Sequence, residues 1–150
     1  MVASERRLKV WAGLVGKWAR RILCDPGWVI TVKWDSEVET TAEADTDRAE
    51  YREGSVRLRP DTEPDNRIAC HEVLHIALAG MSWTGPLAME EVAAGVGASV
   101  FSTWQQQAEE ACVEGLTRAF VLAYAEQDTN EPDVRRSQGE QKGVCIVTMP

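Results

Sequence analysis

The feature that most constrains this 150-residue chain is an apolar segment that contains its two histidines. Residues 68–79 carry no charge apart from Glu72, and Gly80 follows them. This length and composition predict a largely buried helix that ends at the glycine. His71 and His75 lie inside it and are the only histidines of the chain. Because partly buried imidazoles need partners, the segment predicts a polar site on an internal helix.

The spacing of these polar residues favours a metal site. Residues four apart on a helix share a face, with Cβ atoms about 5–6 Å apart, so the imidazoles of His71 and His75 can bind one cation at about 2.0–2.1 Å per Zn–N bond. Glu72 lies roughly 100° around the helix from the first histidine. There it can accept a proton from a zinc-bound water as that water attacks a carbonyl. Mixed histidine and carboxylate ligands suit Zn²⁺ best, so zinc is the expected cofactor.

A third protein ligand must be a carboxylate or a cysteine, since no other histidine exists. Glu110 and Glu114 are four residues apart on a strongly predicted helix. This spacing lets Glu110 bind the metal while Glu114 accepts a hydrogen bond from a ligand histidine. Glu109 shares the apolar stripe of that helix and is an alternative ligand. Cys70 and Cys112 are the soft-ligand alternatives, although each is also typical of a small buried apolar residue.

The other elements predict an α+β fold. Leu8 to Ile22 has the period of an amphipathic helix, and residues 105–127 form the strongly predicted helix that carries the glutamates. Residues 28–34 are rich in β-branched and aromatic side chains, and residues 55–59 alternate apolar with polar, as strands do. Residues 40–51 predict a weak strand or a short helix. We expect a small antiparallel or mixed sheet backed by the N-terminal helix, with the histidine helix and the glutamate helix completing the fold.

The predicted boundaries follow the composition. Residues 1–127 form one domain, and residues 128–150 are expected to be a flexible tail, because the chain there turns to polar, Gly and Pro residues. Residues 81–88 predict a loop. Glu90 and Glu91 follow it near a predicted helix start, where acidic side chains are typical capping charges.

Charge and cysteine content narrow the function classes. The net charge of −8 disfavours a nucleic-acid binder whose affinity comes from neutralising phosphates. Residues 1–23 are locally basic, with six Lys or Arg against one Glu, so a helix that lies on a membrane or nucleic acid remains an alternative for this segment. The four cysteines include no C-x-x-C pair, and no apolar stretch of about 18 residues exists. A cytoplasmic protein without a membrane partner is expected.

With these motifs in place, the chain resembles the gluzincin metallopeptidases, particularly minimal single-domain, phage-type or SprT-like ones. The resemblance spans roughly residues 28–125 as an order of elements, and its specific part is His71-Glu72-Val73-Leu74-His75. It implies a zincin-like fold over residues 1–127, with His71, His75 and Glu110 as zinc ligands and Glu72 as the catalytic base. It also implies that a peptide substrate adds as a strand along residues 55–59.

The chain departs from the gluzincin pattern in two ways. No Asn precedes the Glu of the second helix, where Glu109 stands instead, and the acid four residues after the expected ligand is Glu114 rather than Asp. The only tyrosines are Tyr51 and Tyr124, and neither occupies the usual position for stabilising the oxyanion.

The leading hypothesis is therefore a zinc-dependent metallopeptidase that cleaves peptide bonds in a peptide or protein. An alternative is a non-catalytic, zinc-stabilised binding or regulatory module, phage-derived or associated with a regulator, in which the metal contributes folding free energy alone. An adaptor that binds DNA or a membrane through the basic helix over residues 5–21 is a second alternative.

Overall fold

The computed structural model describes residues 3–23, 27–81, 98–130 and 145–149. Within these ranges the protein is α+β, as predicted, with three α-helices and a mixed sheet of four strands. A short 3₁₀ helix follows β2. In chain order the elements are α1 (Ala3–Ile22), β1 (Val29–Trp34), β2 (Ala42–Asp45), the 3₁₀ helix (Ala49–Tyr51), β3 (Glu53–Leu58), α2 (Asn66–Met81), α3 (Ala98–Asn130) and β4 (Cys145–Met149). Met81, the first residue of the predicted loop 81–88, is the last residue of α2. The rest of that loop, the capping charges Glu90 and Glu91, and residues 131–144 and 150 of the predicted tail lie outside the described residues.

The strand order of the sheet is β2-β3-β1-β4. Strand β1 runs parallel to both β3 and β4, whereas β2 runs antiparallel to β3, with Ala44 opposite Val56. Strand β3 therefore has a hydrogen-bonded neighbour on each side. The prediction that a peptide adds along residues 55–59 is wrong for this reason: its backbone groups are already paired within the sheet. Among the described strands, β2 is the edge strand beside α2. It lies within residues 40–51, for which the sequence predicts either a weak strand or a short helix.

The C-terminal strand corrects the predicted domain boundary. Residues 145–149 pair in parallel with β1, so this part of the expected tail belongs to the sheet. Ile146 packs against α1, where a Cβ built on Gly16 would lie 3.1 Å from its Cγ1 atom. The strand has only five residues, and its partner β1 lies more than a hundred residues earlier in the chain. A pairing of this kind leaves no local signal in the sequence.

One face of the sheet carries the core. Alternate residues of β1 and β3, including Ile30, Val32, Val56 and Leu58, are completely buried, and burying each such side chain contributes about 1.5–3 kcal/mol. Helices α1 and α2 supply the other side of this core, with these fully buried residues: Trp11, Val15, Trp18, Ala69, Cys70, Val73 and Ile76. None of the described helices is long and apolar enough to cross a membrane.

The first turn of α2 is held in place by two contacts. The Asp65 side chain accepts hydrogen bonds from the backbone N–H groups of Arg67 and Ile68, at 2.7 and 3.0 Å, which is the geometry of an N-cap. The indole Nε1 of Trp18 on α1 donates to the backbone oxygen and side-chain oxygen of Asn66, both at 3.0 Å. The cap and the indole together set where α2 begins, and so where its histidines lie.

Candidate metal centre

Helix α2 presents its two histidines to α3. Their Nε2 atoms are 3.2 Å apart, and the rings are inclined by 68°. Glu110 on α3 faces both: its Oε1 lies 3.3 Å from His75 Nε2, and its Oε2 lies 3.5 Å from His71 Nε2. Among the described residues, His71, His75 and Glu110 are the group whose ligand atoms are close enough to share one cation.

The separation of the two Nε2 atoms suits a shared metal ion. Two ligand atoms held at about 2.0–2.1 Å by a tetrahedral ion are about 3.3 Å apart, and the Nε2 atoms are 3.2 Å apart. Glu110 approaches the two nitrogens with different oxygens, Oε1 toward His75 and Oε2 toward His71. In the absence of metal, the 3.2 Å separation also suits an N–H···N hydrogen bond between the two imidazoles. In either case the Nε2 atoms of both rings lie together, and the Glu110 carboxylate from a distant helix lies within 3.5 Å of each.

The other two glutamates of the predicted group lie on the opposite sides of the rings. Glu109 Oε1 is 3.1 Å from His75 Nδ1, within hydrogen-bond distance. Glu114 Oε2 is 3.8 Å from His71 Nδ1, which is beyond it. Each imidazole thus has a carboxylate facing its Nδ1 atom, and Glu110 faces the Nε2 atoms. The sequence predicts either Glu109 or Glu110 as the third ligand. In the structure Glu110 faces the two Nε2 atoms, whereas Glu109 faces the Nδ1 atom of His75.

Glu114 is also bound by two arginines. Arg118 on the same helix donates from Nε to Glu114 Oε1 at 3.1 Å, and the guanidinium of Arg67 on α2 pairs with the same oxygen. Partial burial acts to raise the pKa of Glu114, but the hydrogen bonds and charges of the two arginines outweigh it and hold that pKa below its usual value. The carboxylate beside His71 is therefore ionised at neutral pH.

The pKa of His71 lies below its ordinary value. Burial is the largest cause because it disfavours the charged imidazolium, and the neighbouring His75 acts in the same direction, against Glu110 and Glu114. A neutral imidazole has a free lone pair, which is the form that binds a metal.

Glu72 is the most enclosed carboxylate of the site, with only 6 % of its surface exposed. Burial raises its pKa from 4.5 to about 7, against the opposing effects of His75 and of the Ala44 backbone on β2. A carboxyl group with this pKa can accept and release a proton near neutral pH, as a general base must.

An open cavity of about 900 Å³, here called the cleft, joins these groups. Strand β2 and the residues before it form one wall, and α2 and α3 form the others. The lining residues include Thr40, Ala42, Glu43, Ala44, Asp65, Arg67, His71, Glu72, His75, Gln106, Glu109, Glu110 and Glu114. The wall formed by β2 and the cation of Arg67 were not anticipated from the sequence, although Arg67 lies one helical turn before His71 and could have been found by its spacing.

The remaining candidates lie elsewhere. Cys70 is completely buried in the core, where burial raises the pKa of its thiol to about 12, and Cys112 is exposed on α3. Neither belongs to the group of ligand atoms around His71 and His75. Tyr124 packs edge-on against Trp18, with ring centroids 5.8 Å apart, and neither it nor Tyr51 lines the cleft.

No protein-family model matches this chain, and neither a curated protein nor a solved structure is significantly similar to it.

Proposed function

We propose that this protein is a zinc-dependent hydrolase of peptide bonds, with His71, His75 and Glu110 as the metal ligands and Glu72 as the general base. One observation carries the proposal: two imidazole nitrogens lie 3.2 Å apart, and a carboxylate from a separate helix has an oxygen within 3.5 Å of each, so the three residues can share one cation. The buried carboxylate of Glu72 lines the same cleft.

When bound, zinc would supply a Lewis acid that makes the attacking water acidic near neutral pH. Glu72 would accept the proton that this water loses as its oxygen bonds to the peptide carbonyl carbon. It would then pass that proton to the nitrogen of the leaving amine as the C–N bond breaks.

The substrate would be an extended peptide that adds to β2, which is an edge strand of the sheet in the part of the chain that the structure describes. An edge strand offers unpaired backbone donors and acceptors to a peptide in extended conformation. The cleft places Ala42 and Ala44 of this strand opposite the histidine helix. The Ala42 carbonyl accepts a hydrogen bond from the Thr40 hydroxyl at 2.7 Å, and its second lone pair could accept from a peptide N–H. We therefore propose β2, rather than residues 55–59, as the strand to which the peptide adds.

The test compares Glu72→Gln with His71→Ala, using zinc-loaded protein and a mixture of fluorescence-quenched peptides. We expect Glu72→Gln to bind zinc like the wild type and to lose 10²–10⁴-fold in turnover, the usual contribution of a general base. His71→Ala should lose both zinc and activity. Glu63→Gln, an exposed change outside the cleft, is the matched control. Full activity in zinc-loaded Glu72→Gln would refute the mechanism.

Chelation separates this function from that of a non-catalytic zinc-stabilised module. The core of α1, α2 and the sheet contains buried apolar residues that do not depend on the metal ligands. We therefore expect the metal-free protein to remain folded and to lose only activity. Cooperative unfolding on chelation, followed by circular dichroism, would instead favour a structural zinc site.

A further inference from the structure

The inference concerns Arg67 and rests on the proposed function. When water adds to a peptide carbonyl, the two electrons of the C=O π bond move to oxygen and leave a negative charge there, which an enzyme must stabilise. The two histidines are the proposed metal ligands, and the two tyrosines lie outside the cleft, so none of these four side chains is placed to donate to that oxygen. Arg67 is the one Lys or Arg among the cleft-lining residues that the structure describes.

The position of Arg67 suits this task. It precedes His71 by one helical turn and shares its face of α2. Its guanidinium pairs with Glu114, and the other oxygen of Glu114 lies 3.8 Å from His71 Nδ1. A single carboxylate therefore separates the guanidinium from the first predicted ligand. The Arg67 side chain is 56 % exposed, so it is free to change its rotamer toward a bound molecule.

The pairing of Glu114 makes such a movement possible. Arg118 holds the same carboxylate at 3.1 Å from within α3, and Arg118 does not line the cleft. Arg67 can thus leave Glu114 while Arg118 still pairs with it. The two arginines therefore differ in role. Arg118 holds Glu114 beside the Nδ1 atom of His71, and Arg67 can turn toward the substrate.

We propose that Arg67 donates guanidinium N–H groups to the carbonyl oxygen of the scissile peptide as that oxygen becomes negatively charged. The bond formed is between the water oxygen and the carbonyl carbon, and the proton released goes to Glu72. When the C–N bond breaks, the C=O bond re-forms and the proton moves to the amine nitrogen. Arg67 takes part only through hydrogen bonds and charge, which are strongest when the oxygen is an anion.

The test uses zinc-saturated wild type, Arg67→Ala, Arg67→Lys and the matched control Arg118→Ala. Binding of a phosphonamidate peptide, whose anionic phosphoryl oxygens imitate the tetrahedral oxyanion, is measured by calorimetry. Peptide turnover and zinc affinity are measured alongside. We expect Arg67→Ala to bind the phosphonamidate about 10²-fold more weakly and to lose 10²–10³-fold in kcat with little change in KM. Arg67→Lys should recover part of both losses, and Arg118→Ala should weaken phosphonamidate binding less than Arg67→Ala does, because Arg67 itself remains to donate.

The outcomes discriminate between the possible roles. Wild-type phosphonamidate affinity in Arg67→Ala would overturn the inference. Equal losses in Arg67→Ala and Arg118→Ala, accompanied by weaker zinc binding, would also overturn it, since both arginines would then act only through Glu114. If the zinc-loaded wild type neither cleaves peptides nor binds the phosphonamidate, the proposed function fails and the role of Arg67 fails with it. If the wild type cleaves peptides and Arg67→Ala cleaves them equally well, only the role of Arg67 is refuted.

Discussion

The two faces of α2 differ in what their side chains contact. On one face, Ala69, Val73 and Ile76 are completely buried against the sheet and α1. On the other, His71 and His75 face α3 across the cleft and keep 23 % and 14 % of their side chains exposed. The first face contributes apolar burial and thus stability, and the second holds groups that can bind and react. Substitutions on the two faces should therefore affect different measurements, even at adjacent residues.

The largest expected effect comes from the neighbours His75 and Ile76, which lie on different faces of α2 about 100° apart. His75→Ala removes a predicted ligand and should abolish measurable zinc binding in competition with a chromophoric chelator. Ile76→Ala should leave zinc affinity unchanged but lower the free energy of unfolding by about 2–5 kcal/mol, through lost burial and a cavity beside Gly54. Urea unfolding of the zinc-free proteins measures the second effect. Zinc binding by His75→Ala, or unchanged stability in Ile76→Ala, would refute the assignment of metal binding to one face of α2 and of stability to the other.

The next effect concerns Glu72, which lies between the two faces. In the zinc-free protein its folded-state pKa is about 7, against 4.5 for the ordinary carboxyl group. Between these values the folded state holds a proton that the unfolded state has lost. The free energy of unfolding should therefore fall as pH rises from about 4.5 to 7, by on the order of 3 kcal/mol in all. Urea titrations at a series of pH values measure this slope.

Glu72→Gln is the control for that slope, because glutamine does not titrate. Its unfolding free energy should lack this fall, so the two curves should diverge with rising pH and the variant should be the more stable above pH 7. Parallel curves would show that Glu72 is not held in a desolvated position between the two faces.

The smallest expected effect separates Glu109 from Glu110. Glu109 faces the Nδ1 atom of His75, so Glu109→Gln should weaken zinc binding about 10–100-fold, as the loss of a carboxylate that orients a ligand does. Glu110→Gln removes an oxygen that faces both Nε2 atoms and should weaken zinc binding further. The d–d spectrum of the Co²⁺-substituted protein should keep its intensity in Glu109→Gln and change in Glu110→Gln. The reverse order would make Glu109 the ligand.

Several features of the fold were predictable because their causes are local. The helix over residues 68–79 was recognised from its composition and its terminal signals, and the structure extends it to Asn66–Met81. Residues 28–34 and 55–59 were recognised as strands from β-branched content and alternation, and β1 and β3 confirm them within two residues. These signals arise from neighbouring side chains that share a helix face or a strand face.

Other features depend on partners far along the chain. Strand β4 was expected to lie in a tail, yet it pairs with β1. Strand β3 was expected to be an edge, yet β2 covers it. The four residues of β2 read Ala-Glu-Ala-Asp, which is a poor strand composition, so their conformation comes from pairing with β3 rather than from propensity. The order of strands in a sheet is a property of the assembled structure, and periodicity carries no information about it.

The sequence by itself determined that two imidazoles share one face of a helix, because the i, i+4 spacing follows from helix geometry alone. It also restricted the third candidate ligand to a few carboxylates and cysteines. Only the tertiary structure decided which of these reaches the imidazole nitrogens, because the packing of α3 against α2 rotates Glu110 toward both Nε2 atoms and Glu109 toward Nδ1. Tertiary packing likewise placed Arg67 and strand β2 in the same cleft, since the contacts that bring them together join segments separated in sequence.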